Sequence, residues 1–196
     1  MDSADFSAFR ARPKHPRVFG GHAVRWKYGM HAEQPGQLVQ MDHMSVSFPG
    51  ATIENFTAVC PATGYLVAHA YSRATSRNAA RFLDHVLHTM PVAITALQVD
   101  GGSQFRGAFE QACQARGIAP YVLPPQHPQY NAGVERAHRS LRQKFYRQYR
   151  HDCNLLSLNP ALHAFQHHYR HCRPHTGKRQ NMLTPMAYYQ SLKEAP

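Results

Sequence analysis

The sequence predicts a mixed α/β fold: one five-stranded mixed sheet with helices on both faces, plus C-terminal helices. Three observations predict it. Between residues 38 and 71, three strand-like runs are joined by connections too short for a crossover. Helical and strand-like periods then alternate as far as a long basic helix. The chain has 196 residues and is 43% apolar, enough for one sizeable core with extensions.

Residues 1–36 scatter Arg10, Arg12, Lys14, Arg17, Arg25 and Lys27 among Pro13, Pro16, Gly20 and Gly21, with no period long enough to bury a face. This composition suits a disordered leader and a basic arm on phosphates equally. Leu38 to Phe48 is strand-like, and Pro49-Gly50 turns the chain. Ile53 to Cys60 and Tyr65 to Tyr71 follow, joined by Pro61-Ala62-Thr63-Gly64, and complete an antiparallel meander. Ser76 or Thr75 caps the next helix, whose stripe Ala79, Phe82, Leu83, Val86, Leu87, Met90 ends at Pro91. Ile94 to Val99 is reached through that helix and so should lie parallel in the same sheet. Phe109, Ala112 and Cys113 mark a short helix closed by Gly117, and Tyr121 to Leu123 is a fifth strand.

Pro124 to Tyr130, rich in proline, reads as a mobile loop over whatever the strand ends build. Asn131 is a good N-cap for a helix from Ala132 to about Arg150. Its core stripe is Val134, Ala137, Leu141, Phe145; its other stripe carries Glu135, Arg139 and Arg142 with His138 beside them. Asn159-Pro160 is expected to start another helix and Thr184-Pro185 a last one. This succession is the order of a ribonuclease H-like fold. It divides into a basic extension (1–36), a core (37–152) and a C-terminal helical extension (153–196).

Lys and Arg number 22 against 11 acidic residues, a formal charge of +11. Such an excess points to a polyanion partner, because phosphate contacts release counterions. No apolar run could span a membrane and no apolar signal segment opens the chain, so a cytoplasmic product is the default expectation. Cys60, Cys113, Cys153 and Cys172 have no zinc-ribbon spacing and read as core residues or exposed thiols. His163, His167 and His171 recur every four residues and read as a basic, partly solvated helix face.

Most acidic residues sit in polar settings, but Asp42 lies inside a strand and Asp100 ends an apolar one. A buried lone carboxylate is costly unless it is paired or on a metal. Ligands bind beyond the carboxyl ends of parallel strands, where Asp100 stands, and the neighbouring first strand would bring Asp42 alongside. Glu135, one turn into the long helix, would complete a set suited to hard divalent cations. Arg139 and Arg142, sharing its stripe, would then meet phosphates.

Asp42, the run Asp100-Gly101-Gly102-Ser103-Gln104-Phe105 and the run Asn131-Ala132-Gly133-Val134-Glu135 resemble the catalytic signature of retroviral integrases and bacterial insertion-sequence transposases, the DDE superfamily. Ala62-Thr63-Gly64-Tyr65 is similar to that family's second strand-to-strand turn, and Arg173-Pro174-His175 with Thr184-Pro185 to the tail of the insertion-sequence branch. The resemblance implies a polynucleotidyl transferase using two Mg²⁺ or Mn²⁺ ions on Asp42, Asp100 and Glu135. It implies 3′-end cleavage of double-stranded DNA, then strand transfer, by a homo-oligomer. DNA contacts are expected from Ser103, Gln104, Asn131, His138, Arg139 and Arg142, and from Arg173, Lys178 and Arg179 in the tail. His43-Met44 departs from the small hydroxyl or aromatic residues usual after the first Asp. The stretch before Gly36 is short for the end-binding module that family members carry, so end recognition is expected from a partner chain, a longer product, or not at all. The alternatives are a non-catalytic DNA-binding remnant that regulates transposition, and a plain metal-dependent nuclease.

Overall fold

The computed structural model describes residues 23–25, 32–124, 128–150, 153–177 and 180–194. A long antiparallel ribbon sets the frame: β2 (Val39–Phe48) and β3 (Ala51–Cys60), joined at Gly50, whose φ of +78° is cheap only for glycine. β4 (Tyr65–Tyr71) returns beside β3 and completes the expected meander. Helix α1 (Ser76–Thr89) buries Ala79, Phe82, Leu83 and Val86. Of the two candidate caps the structure uses Thr75, whose side chain accepts from the Asn78 N–H. β5 (Ala96–Val99) then runs parallel to β2, and after α2 (Ala108–Ala115) β6 (Ala119–Val122) runs parallel to β5. A two-residue strand, β1 (Val24–Arg25), adds to the five expected ones by pairing with β6, giving the order β1-β6-β5-β2-β3-β4. The basic residues Arg10, Arg12, Lys14, Arg17 and Lys27 lie outside the described residues.

Side-chain alternation feeds two cores, one per sheet face. Phe56, Ala58 and Val67 pack with α1 and α2, while Val59, Leu66 and Ala68 pack with the helices that follow. These are α3 (Ala132–Leu141) and α4 (Leu155–His171), whereas the last helix, α5 (Pro185–Glu194), sets Met186 against the first core. The Thr184 hydroxyl caps α5 as expected, accepting from the Ala187 N–H. Cys60 and Cys113 are buried and Cys172 is exposed; all four thiols are free.

Two expectations need correction. The long helix is α-helical only to Leu141; Arg142–Tyr146 form a wider π turn. The extra residue in that turn lets consecutive Phe145 and Tyr146 both face the core, where the Tyr146 hydroxyl donates to Asn55 Oδ1 at 2.7 Å. The next helix starts at Leu155, capped by Asn154, and runs through Asn159 and Pro160. Asn159 serves the sheet instead. Its side-chain amide bonds the Ala70 N–H and C=O at 2.8 and 3.1 Å, and Gln166, two turns on, does the same to Ala68 at 2.7 and 2.8 Å. β4 is an edge strand, and these amides satisfy backbone groups it would otherwise leave open. The demand is tertiary, so a local capping pattern misplaces the helix start.

Candidate active site

Strand register brings the first two carboxylates level. Val39 stands beside Leu97 and Gln40 beside Gln98 in the parallel β2–β5 pair. The same offset carries on to Asp42, still within β2, and Asp100, the first residue past β5. Asp42 Oδ1 accepts from the His43 N–H at 2.7 Å. Asp100 Oδ1 accepts from the Gly102 N–H at 2.9 Å and the Gln104 amide at 3.3 Å. The Asp-Gly-Gly-Ser-Gln run is thus a cradle that fixes its own carboxylate. A Cβ on Gly102 would meet the end of the Gln104 side chain, which would have to shift its amide away from Asp100.

The third carboxylate is placed by residues that sequence reasoning missed. Gln40 and Gln98 are buried one step behind the aspartates and both donate to the Tyr130 carbonyl, at 2.9 and 2.5 Å. Gln40 Oε1 also accepts from the Val134 N–H at 3.2 Å. These bonds tie the entry of α3 to the two aspartate strands. A Cβ on Gly133 would meet Gln40 Oε1, so glycine there allows the approach. The signal was present: Gln40/Asp42 and Gln98/Asp100 are polar pairs spaced two apart, hence each pair on one face.

Asn131 holds the N-cap position but makes no capping bond. Its amide turns inward instead, donating to Asp42 Oδ2 at 3.4 Å. Glu135 is exposed at the mouth. Burial first, then the Asp100 charge and more weakly that of Glu135, push Asp42 up to about 7; its bond from the His43 N–H opposes them. The three carboxylates therefore share one field. Their oxygens do not close to within 4.8 Å of one another; among the described residues only His69, His85 and His163 form such a group.

Beside Glu135, His138, Arg139, Arg142 and Gln143 line a groove of about 450 Å³. Arg139 and Arg142 are exposed, whereas His138 is buried. Burial, then Arg142 and His43, push the His138 imidazole down to about 4, so it is neutral at neutral pH. Carboxylates next to free guanidiniums can receive a phosphodiester. Ser103 is exposed at the rim, and buried Gln104 also bonds His43 Nδ1 at 3.1 Å. His43, the unusual neighbour of Asp42, lies 3.6 Å from the Glu54 carboxylate. Arg173 belongs elsewhere, its guanidinium stacked 5.6 Å from the Tyr169 ring centre. Lys178 and Arg179 lie outside the described residues, as do residues 125–127 of the loop expected over the site; its end, Pro128–Asn131, is a 3₁₀ turn.

Two family models, both described as integrase core domain, match residues 32–128 and 116–185. The chain belongs to the integrase core family. Solved integrases share its fold. A chain of the simian T-cell lymphotropic virus intasome matches with TM-score 0.71 at 21% identity, covering 94% of this chain and 62% of that one. The catalytic core domain of BIV integrase matches with TM-score 0.63 at 24% identity, covering 81% and 97%. The HTLV-2 integrase catalytic core domain, in a trimeric form with magnesium, matches with TM-score 0.65 at 16% identity, covering 81% and 99%. The chain thus spans under two thirds of the intasome chain and nearly all of each isolated core. The ribonuclease H-like order read from the elements is the fold these integrase cores share. No curated protein matches. Among the described residues no helix is long and apolar enough to cross a membrane.

Proposed function

We propose that this integrase core cleaves DNA 3′ ends and transfers the freed strands to a target duplex, with Asp42, Asp100 and Glu135 as ligands for two Mg²⁺ or Mn²⁺ ions. One observation carries the reading: parallel register continues to Asp42 and Asp100, the Gln40–Gln98 clamp ties the entry of the Glu135 helix to those two strands, and the charges of Asp100 and Glu135 both act on Asp42. The donor set fits hard cations, which take oxygen ligands. Two buried polar atoms, Asn131 Oδ1 beside Asp42 and His138 Nε2 beside Glu135, have no hydrogen-bond partner among the described residues, as expected where solvent or substrate completes the site. When bound, such ions activate the attacking oxygen and stabilise the leaving one. The protein's own part is positional. Gln104 and the Gly102 N–H hold Asp100; Asn131 steadies Asp42; Arg139 and Arg142 hold the phosphodiester in the groove; Ser103 lies at its rim.

Residues 37–152 form the catalytic core in this reading, 153–196 a helical extension docked on it, and 1–36 a basic arm. Contacts of Arg173, Lys178 and Arg179 with flanking DNA belong to the same reading. The protein works on the nucleoid as a homo-oligomer, with DNA ends recognised by a separate domain or protein.

The test is a plasmid assay with Mg²⁺ or Mn²⁺ and duplex oligonucleotides carrying 3′-hydroxyl ends. Joined products that vanish in Asp100→Asn are expected. Cleavage without joining would make the protein a nuclease. DNA binding with neither, and no rise in melting temperature on adding metal, would make it a binding remnant.

A further inference from the structure

The second cluster of ionisable side chains lies at the β4 edge of the sheet, away from the central β2 and β5. His69 is on β4, His85 on α1 and His163 on α4. Each is partly buried, and one ligand nitrogen from each lies within 4.8 Å of the other two. His69 Nδ1 and His163 Nε2 are 3.3 Å apart. The His85 and His163 rings stack at 5.2 Å and 9°, and His69 sits 5.1 and 5.5 Å from them. The backbone holds this arrangement: Asn159 and Gln166 fasten α4 to Ala70 and Ala68, either side of His69, with His163 between them on the helix.

We propose that His69, His85 and His163 bind a transition-metal ion, Zn²⁺ by preference, which staples α1 and α4 across the β4 edge. The spacing suits it. Zinc–nitrogen bonds of about 2.0–2.1 Å at a tetrahedral angle separate two ligand nitrogens by about 3.4 Å. The His69–His163 pair stands at 3.3 Å, and rotation of the His85 ring closes the rest. Solvent supplies the fourth position. Imidazole ligands suit zinc, cobalt, nickel and copper, whereas Mg²⁺ takes oxygen, so the two metal sites sort different ions.

The surroundings permit the site. Burial, with the neighbouring rings, holds His69 and His85 down at about 4, and burial and Arg170 lower His163, so all three are neutral at neutral pH, the form that ligates. Arg170 turns its guanidinium to the Tyr65 ring and hydroxyl, and His88 lies further along α1. Asp84 is paired with Arg116. His167 and His171 stack on each other at 4.5 Å on the exposed side of α4 and supply an internal control.

The experiment uses the full chain, stripped with chelator. Titration with Co²⁺ should give one saturable equivalent in the visible spectrum, displaced by Zn²⁺ and indifferent to excess Mg²⁺. Zinc should raise Tm by about 5 °C. His85→Ala and His163→Ala should each weaken Zn²⁺ binding about 100-fold or more, while a His167→Ala/His171→Ala double variant should bind like the parent. If a variant fails to fold, imidazole NMR signals of the parent decide, since only three ring systems should move on adding Zn²⁺. No saturable cobalt spectrum, or one that follows His167 and His171, overturns the proposal. The Asp100→Asn protein should bind Co²⁺ here unchanged, so failure of the DNA-processing reading and of this one are separable.

Discussion

The carboxylates of Asp42 on β2, Asp100 just past β5 and Glu135 on α3, and the imidazoles at the β4 edge, are both sets of three like groups drawn from distant parts of the chain. Burial acts on both and moves them in opposite senses: Asp42 up to about 7, His69 and His85 down to about 4. Each shift disfavours the charged form. The geometries differ. The imidazoles close to within 4.8 Å and are partly buried on three packed elements. The carboxylates stand further apart, with Glu135 exposed beside a groove. A closed set of neutral ligands suits an ion that stays, and an open set of anions suits ions that share their ligands with a substrate.

The largest break in that contrast is expected from Glu135→Gln. Strand transfer should fall to background while DNA affinity holds, because the proposed phosphate contacts are those of Arg139 and Arg142 and not of Glu135. A variant that still joins strands refutes the assignment of Glu135.

Acidity sharpens the contrast next, in metal-free protein. Asp42 binds a proton in the fold that the unfolded chain releases near 3.8. Its contribution is therefore full below that value and lost as pH rises through about 7, a change of up to about 4 kcal/mol. His69, His85 and, in the first region, His138 behave oppositely: the unfolded chain takes up protons near 6.5 that the fold refuses until about 4. Their stability is full above 6.5 and lost as pH falls to about 4. Urea unfolding from pH 4 to 7 should therefore show Asp42→Asn losing stability on acidification more steeply than the parent. Parallel profiles would remove Asp42 from the pH response.

Gln40→Leu should cost about 1–3 kcal/mol by leaving the Tyr130 carbonyl and the Val134 N–H short of partners. It should also lower activity without touching the carboxylates, since it frees the α3 entry. Denaturant midpoints with an activity assay check both, and unchanged activity at reduced stability would leave Gln40 structural. Arg142→Ala should have the smallest effect. It should flatten the salt dependence of DNA binding by about one unit, and an unchanged slope would return Arg142 to an ordinary solvated face.

Much of this was legible in the chain. Alternation and turn residues placed the meander, the α1 stripe and the parallel β5, because burial of a local face imprints a local period. The Asp100 cradle could also be read, since its partners lie within four residues. Asn159 and Asn131 misled for one reason. Each has a capping residue's chemistry, but the amide is used elsewhere, on β4 in one case and on Asp42 in the other. The histidines at 163, 167 and 171 were read as one face, yet His163 leaves it for His69 and His85.

By itself the sequence determined most of the elements and their order, and singled out the three carboxylates as candidates, because hydrophobic period, caps and turns act over a few residues. Tertiary structure supplied the register that sets Asp42 level with Asp100, and it alone decided that Gln40 and Gln98 aim α3 and that three imidazoles meet at a sheet edge. Those juxtapositions depend on backbone register and on hydrogen bonds between groups 32 to 98 residues apart, and no local pattern encodes such a distance.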